Sequence, residues 1–190
     1  LMSLAIPPFN KETELGVSCP FTLSEKQVQE IIRLSKSLPM QEGGIQRKDK
    51  IEMDRSYRDV NLYIIPEQIR WIDDLLIQIA FHANKEFQFS LCGLIERPQL
   101  LCYHAGSQGY GWHMDLGSGD HSVRKIAISC LLNDDYEGGE LCFFMDGEAK
   151  FKPSVGQCIT FPSFFPHRVA PITKGTRWSL VAWIAGDPFR

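Results

Sequence analysis

No stretch of this 190-residue chain approaches the run of about 20 apolar residues that a helix needs to cross a bilayer, so no membrane-spanning helix is expected. The opening LMSLAIPPF has neither the charged start nor the apolar run of a signal peptide, and no leader is expected either. An excess of basic charge is also missing. A net charge of -3 and a pI near 6.0 leave no electrostatic footprint for nucleic acid or an anionic membrane, so neither is expected as a partner. The six cysteines (Cys19, Cys92, Cys102, Cys130, Cys142 and Cys158) stand singly, with no CxxC pair. That spacing fits reduced, core-packed thiols in a cytoplasmic protein better than a disulfide framework or a zinc site. No internal repeat or low-complexity linker divides the chain, and a 44% hydrophobic content over this length is enough for one core. A single domain over 1–190 is expected.

The first half is mixed in character. Thr22-Leu23-Ser24-Glu25 has the spacing of a capping box, and Val28, Ile31, Ile32 and Leu34 keep a helical period until Pro39, predicting a helix over 23–37. Residues 41–58 are polar and aperiodic, reading as a loop into an extended segment at 60–65. Pro66 suits a first helical turn, and Ile69, Ile72, Leu76, Ile79, Ala80 and Ala83 form a stripe for packing on a sheet, with the helix ending near Phe87.

From residue 99 the pattern turns to short apolar segments: 99–104, 125–132, 140–144, 149–151, 157–161, 167–171 and 177–184, with turns marked by Glu137-Gly138-Gly139-Glu140, Asp146-Gly147 and Thr173-Lys174-Gly175. The expected fold is mainly β with flanking helices, a double-stranded β-helix (jelly roll) core over about 98–190 supported by N-terminal α-helices over about 1–97.

The chemistry centres on His113-Met114-Asp115. On an extended backbone His113 and Asp115 share a face, and His167 arrives from a later strand. Two imidazoles and a carboxylate can occupy one face of an octahedral metal and leave the opposite face open, the arrangement suited to iron. HxD alone is common; Arg177, ten residues beyond His167, adds a planar fork for a carboxylate, or else an exposed strand-end charge.

Those residues extend into a joint pattern. Tyr103 with Gly106, Tyr110-Gly111-Trp112-His113-Met114-Asp115, Arg124-Lys125, Tyr136 to Leu141, Phe161-Pro162-Ser163, His167-Arg168-Val169 and Gly175 to Leu180 together resemble prolyl-4-hydroxylase-like 2-oxoglutarate/Fe(II) dioxygenases, over about 98–190. The resemblance implies that His113, Asp115 and His167 bind Fe(II). It also implies that Arg177 pairs with the distal carboxylate of 2-oxoglutarate, and that Tyr103 hydrogen-bonds the same group. Ser179, two residues from Arg177, is a third candidate contact, and Trp183 either backs the cosubstrate pocket or is plain core packing. Family members often carry lysine where Arg177 stands. The implied reaction consumes 2-oxoglutarate and O2, releases succinate and CO2, and hydroxylates an unactivated C–H bond, with no catalytic residue required beyond the metal centre.

For the substrate, Tyr110, Trp112, Gln108 and His104 are candidates for the mouth of the site, and Arg124 for contact with a substrate carboxylate; each has a structural reading beside it. Residues 41–59, with Arg47, Arg55, Tyr57 and Arg58, read as a substrate lid or a solvated loop. A prolyl residue in a peptide or protein, or a related amino acid, is the expected substrate. Oxidative dealkylation of nucleic acid on the same core is a second reading, disfavoured by the lack of a basic face and of a second arginine soon after Arg177. A non-catalytic jelly-roll binding module is a third.

Overall fold

The computed structural model describes residues 16–47 and 50–188, so the opening LMSLAIPPF lies outside the described residues. In chain order, the N-terminal half supplies β1 (Ser18–Thr22), α1 (Glu25–Leu34), β2 (Met40–Glu42), β3 (Ile45–Arg47), β4 (Lys50–Glu52), β5 (Asn61–Ile64), α2 (Arg70–Phe87) and β6 (Leu91–Leu94). The second half supplies β7 (Gln99–His104), β8 (Tyr110–His113), a 3-10 turn at Gly119–Val123, β9 (Arg124–Leu131), β10 (Tyr136–Gly138), β11 (Leu141–Phe144), β12 (Glu148–Phe151), β13 (Gln157–Pro162), β14 (His167–Val169) and β15 (Ile172–Gly186).

Among the described residues the strands form a large antiparallel sheet ordered β1-β13-β9-β15-β7-β5-β2, with β6 and β10 also on β15. A four-stranded sheet is ordered β12-β11-β14-β8, and β3 pairs with β4 as a hairpin. The two larger sheets enclose one core, a jelly roll backed by helices, as the segment pattern implied. The N-terminal half is more than helical support, since β1, β2 and β5 extend the large sheet. Among the described residues no helix is long and apolar enough to cross a membrane.

Strand alternation divides the interior in two. Along β15, Leu180, Ala182 and Ile184 face a core shared with Ile31 of α1 and Leu76 and Ile79 of α2. The alternate residues Val181 and Trp183 join the core between the sheets, with Phe143, Phe161 and Leu101. α2 buries Ile72, Leu75, Leu76, Ile79, Ala80, Ala83 and Phe87, the expected stripe, with Ile69 only partly covered. It starts four residues after Pro66, because Pro66–Ile69 closes a separate turn (Ile69 N–H to Pro66 O, 3.1 Å).

The other differences have local causes. The capping box belongs to Ser24 and Gln27, whose backbone N–H donates to Ser24 Oγ at 3.3 Å while Gln27 Oε1 accepts from Ser24 N–H at 2.9 Å. Thr22, the expected cap, is held in β1 opposite Gln157. The turn expected at Thr173-Lys174-Gly175 is absent: β15 runs through it, because Tyr136 and Glu137 of β10 pair with Gly175 and Lys174. Gly175 supplies the positive φ of 75° at this crossing. Residues 41–59 contain the end of β2 and all of β3 and β4 rather than a featureless loop; Lys48 and Asp49, and the side chain of Arg47, lie outside what is described.

Candidate metal centre

His113 closes β8 and His167 opens β14, and the antiparallel register sets the two directly opposite each other, with ring centroids 4.2 Å apart. Each Nδ1 meets a backbone carbonyl two residues back: Gly111 O at 2.8 Å for His113 and Phe165 O at 2.9 Å for His167. A carbonyl only accepts, so Nδ1 carries the proton in each ring and Nε2 turns a lone pair towards the centre. Burial, assisted by His167, lowers the His113 pKa to about 3, which keeps that imidazole neutral and ready to ligate. Tyr110 stacks on the same ring at 3.6 Å and 17°.

Asp115 reaches the centre by a different route from the one expected. β8 ends at His113, and the chain bends so that the N–H groups of Asp115 and Leu116 both donate to Ser163 O at 2.9 Å. The shared face with His113 therefore comes from this two-pronged backbone tie, not from strand alternation. Its carboxylate oxygens stand 3.7 Å from His113 Nε2 and 3.5 Å from His167 Nε2. Burial pushes the Asp115 pKa up. His167, His113, the Trp183 indole N–H and Arg124 outweigh it and hold the carboxyl below its usual range, so it is ionised. One donor atom from each of the three residues lies within 4.8 Å of the others. Donors about 2.1 Å from a metal and at right angles lie about 3 Å apart, so a small contraction would close this set on an ion.

A pocket leads from the triad into the space between the sheets and ends at Arg177, Tyr103 and Ser179. Arg177 and Tyr103 are direct cross-strand partners on β15 and β7. Arg177 is 2% exposed, and its guanidinium lies 5.8 Å from the Tyr103 ring centre and donates to Ser179 Oγ at 3.0 Å. Its Nε has no partner, and among the described residues no carboxylate lies within ion-pair distance of it. A buried guanidinium without a counter-ion is costly, so this end of the pocket suits an anion. Burial also pushes the Tyr103 phenol up, which leaves its hydroxyl protonated and able to donate.

The opposite side of the triad opens into a cleft of about 730 Å³ lined by Tyr57, Arg58, Glu96, Tyr110, Met114 and Arg124 among others. Of the residues expected at the mouth, Tyr110 is there. Trp112 instead turns outwards, edge-on to Phe144 at 6.0 Å and beneath Arg168. His104 sits in a separate crevice, with Asn61 Nδ2 3.2 Å from its ring, and Gln108 reaches only Gly106 O at 3.5 Å. Arg124 donates to Glu96 through Nε and Nη2 and to Asp115 O at 3.1 Å through Nη1. From 41–59, Tyr57 and Arg58 wall the cleft, Arg58 over the Tyr110 ring at 4.7 Å, while Arg55 pairs with Glu42 at the surface. Glu96 and Ser163 were not legible as site residues, since each acts through a neighbour distant in sequence.

Residues 98–185 match the family model described as the 2OG-Fe(II) oxygenase superfamily. Over this stretch the chain is similar to that superfamily. That likeness points to Fe(II), 2-oxoglutarate and O2, and the residues present fit them: two imidazoles and a carboxylate for iron, and the buried guanidinium of Arg177, with its unpartnered Nε, for an anion. Among curated relatives, a PKHD-type hydroxylase of Thermosynechococcus vestitus is 35% identical over 125 residues, covering 62% of this chain and 55% of its own length. The chain spans about half the length of the curated relatives it matches. The oxygenase fold is shared with a Pseudomonas putida prolyl-4-hydroxylase (TM-score 0.70, 21% identity, 90% of this chain and 91% of that one). It is shared also with a Trichoplax adhaerens prolyl hydroxylase solved with a hypoxia inducible factor peptide fragment (TM-score 0.72, 19% identity, 90% and 83%).

Proposed function

We propose that this protein is an Fe(II)- and 2-oxoglutarate-dependent dioxygenase that hydroxylates a prolyl residue in a peptide or protein, or a related amino acid. The observation that carries the reading is the buried, unpaired Arg177 at the end of the pocket that begins at His113, Asp115 and His167. In this reading His113, Asp115 and His167 hold Fe(II), and Arg177, Tyr103 and Ser179 hold the distal carboxylate of 2-oxoglutarate. Fe(II) with 2-oxoglutarate and O2 supplies the oxidant for an unactivated C–H bond, with release of succinate and CO2.

The chain's own residues bind, orient and exclude water. Both histidines keep their protons on Nδ1, hydrogen-bonded to backbone carbonyls, which would leave Nε2 free to hold the metal. Arg177 and Tyr103 fix one end of the cosubstrate, while Leu141, Phe161 and Val169 keep the pocket walls apolar. The substrate enters the cleft between Tyr57, Arg58 and Tyr110. A peptide there is supported by the relatives' description as PKHD-type hydroxylases and by the peptide bound to the Trichoplax neighbour. All six cysteines are free, which supports a reducing, cytoplasmic location.

Anaerobic titration of the protein with Fe(II) and 2-oxoglutarate should give a visible charge-transfer band. Its absence from the parent protein, or its persistence in His113→Ala, would falsify the iron assignment. A succinate-release screen over proline peptides, free amino acids and alkylated oligonucleotides then identifies the substrate; turnover confined to the oligonucleotides overturns the prolyl assignment.

A further inference from the structure

Asp115 stands beyond the end of its strand, so the ladder that fixes His113 and His167 does not fix its carboxylate. What does reach it is a second layer built on Arg124. This side chain is 6% exposed at the start of β9, yet it makes contact in three directions. Its Nε donates to Glu96 Oε1 at 2.6 Å, and Nη2 donates to Glu96 Oε2, a two-pronged pairing with a carboxylate 28 residues away in sequence. Nη1 donates to the backbone carbonyl of Asp115 at 3.1 Å. The guanidinium plane lies over the indole of Trp183, 4.1 Å from the ring centre. Trp183 in turn lies close enough to the Asp115 carboxylate to favour its charged form. The guanidinium thus touches Asp115 at the main chain, and the ring beneath it bears on the Asp115 carboxylate.

We propose that Arg124, pinned by Glu96 and stacked on Trp183, is a positioning residue that sets the direction in which the Asp115 carboxylate faces His113 and His167. The chemistry argues for a specific arginine here. Only a planar fork can bind Glu96 along one edge, the Asp115 carbonyl with its remaining nitrogen, and an aromatic face with its plane. A lysine keeps the charge and loses this combination. Trp183 has the matching requirement, a flat face for the guanidinium and an edge donor for the carboxylate. Partners of this kind behind metal ligands alter metal affinity by about 10–100-fold when removed.

The inference rests on the iron reading above, and its test keeps the two separate. Fe(II) alone is titrated anaerobically against a competing chelator into the full chain and into Arg124→Lys and Trp183→Phe, with the melting temperature of each metal-free protein as a fold control. The charge-transfer band is then recorded with 2-oxoglutarate. Both variants are expected to bind Fe(II) at least tenfold more weakly and to show a displaced band, whereas a merely structural role for Arg124 lowers the melting temperature and leaves the band in place. Parental Fe(II) affinity and an unmoved band in a folded variant overturn the positioning role. If Arg124→Lys does not fold, Trp183→Phe, which keeps an aromatic face and removes only the donor edge, decides the matter. A parent chain that takes up no Fe(II) sinks the underlying iron reading, and the inference with it.

Discussion

The two sheets around the site solve different problems. The small sheet holds His113 and His167 at the last residue of β8 and the first of β14, on strands of four and three residues next to a register shift. The large sheet holds Arg177, Ser179 and Trp183 well inside the fifteen-residue β15, which is paired along both edges and backed by α1 and α2. One sheet therefore offers the proposed metal ligands at a rim facing the cleft, and the other buries the proposed anion anchor in its most continuous strand. Short, partly exposed strands open locally at lower free-energy cost than a long strand packed on both faces. The proposed metal ligation and anion anchoring are therefore separable, although one pocket joins them.

The largest expected effect breaks the small sheet's half of that division. His167→Ala removes the ligand opposite His113 and should abolish measurable Fe(II) binding in an anaerobic chelator competition. Arg177 and Tyr103 lie on the other sheet and are untouched. Retention of tight Fe(II) binding would mean that the metal does not sit between these two strands.

Arg177→Ala tests the other half. It should weaken 2-oxoglutarate by about 2–5 kcal/mol, the usual cost of removing one member of a buried charge pair. Fe(II) affinity measured without cosubstrate should stay within about threefold of the parent. Calorimetric titration of 2-oxoglutarate in the presence of excess metal reads the first effect, and chelator competition the second. A loss of Fe(II) binding equal to the loss of 2-oxoglutarate would merge what the two sheets keep apart.

Leu180 shares β15 with Arg177 but points the other way, into the helix-backed core, where it is fully buried. Leu180→Ala should therefore cost about 2–5 kcal/mol of folding stability in a denaturant titration. The site should stay intact, with 2-oxoglutarate affinity nearly parental at temperatures where the variant is folded. A larger loss in affinity than in stability would show that the two faces of β15 are coupled.

That division of faces was largely legible in the sequence, because period-two alternation is a local property. The segment at 99–104 matches β7 at both ends, and the α2 stripe from Ile72 to Ala83 is buried as its spacing implied. What escaped depends on pairing between distant strands. No local signal shows that β10 will hold residues 172–175 in line, that Thr22 will be drawn into β1, or that His113 and His167 share one register. Asp115 shows the same limit at the site itself. The HxD spacing put Asp115 on one face with His113 for a reason the structure does not use, since the carboxylate is brought round by the Ser163 carbonyl. The pairing of Arg124 with Glu96 is likewise invisible at a distance of 28 residues.

Ser179 provides the smallest and finest test of the anchor. Its hydroxyl oxygen accepts from Arg177 Nη1 at 3.0 Å, so its own proton remains available to an anion held by the same guanidinium. Ser179→Ala removes that bond and the prospective second one but leaves the charge in place. The expected loss of 2-oxoglutarate affinity is about 0.5–1.5 kcal/mol, the net worth of an ordinary hydrogen bond and well below the Arg177→Ala effect. The ratio between the two variants carries the information. If Ser179→Ala costs as much as Arg177→Ala, the serine's main task is to hold the guanidinium in its only productive orientation, and the anchor is a coupled pair. If it costs nothing, the carboxylate is held by Arg177 and Tyr103 alone, and β15 contributes a charge rather than a shaped cradle.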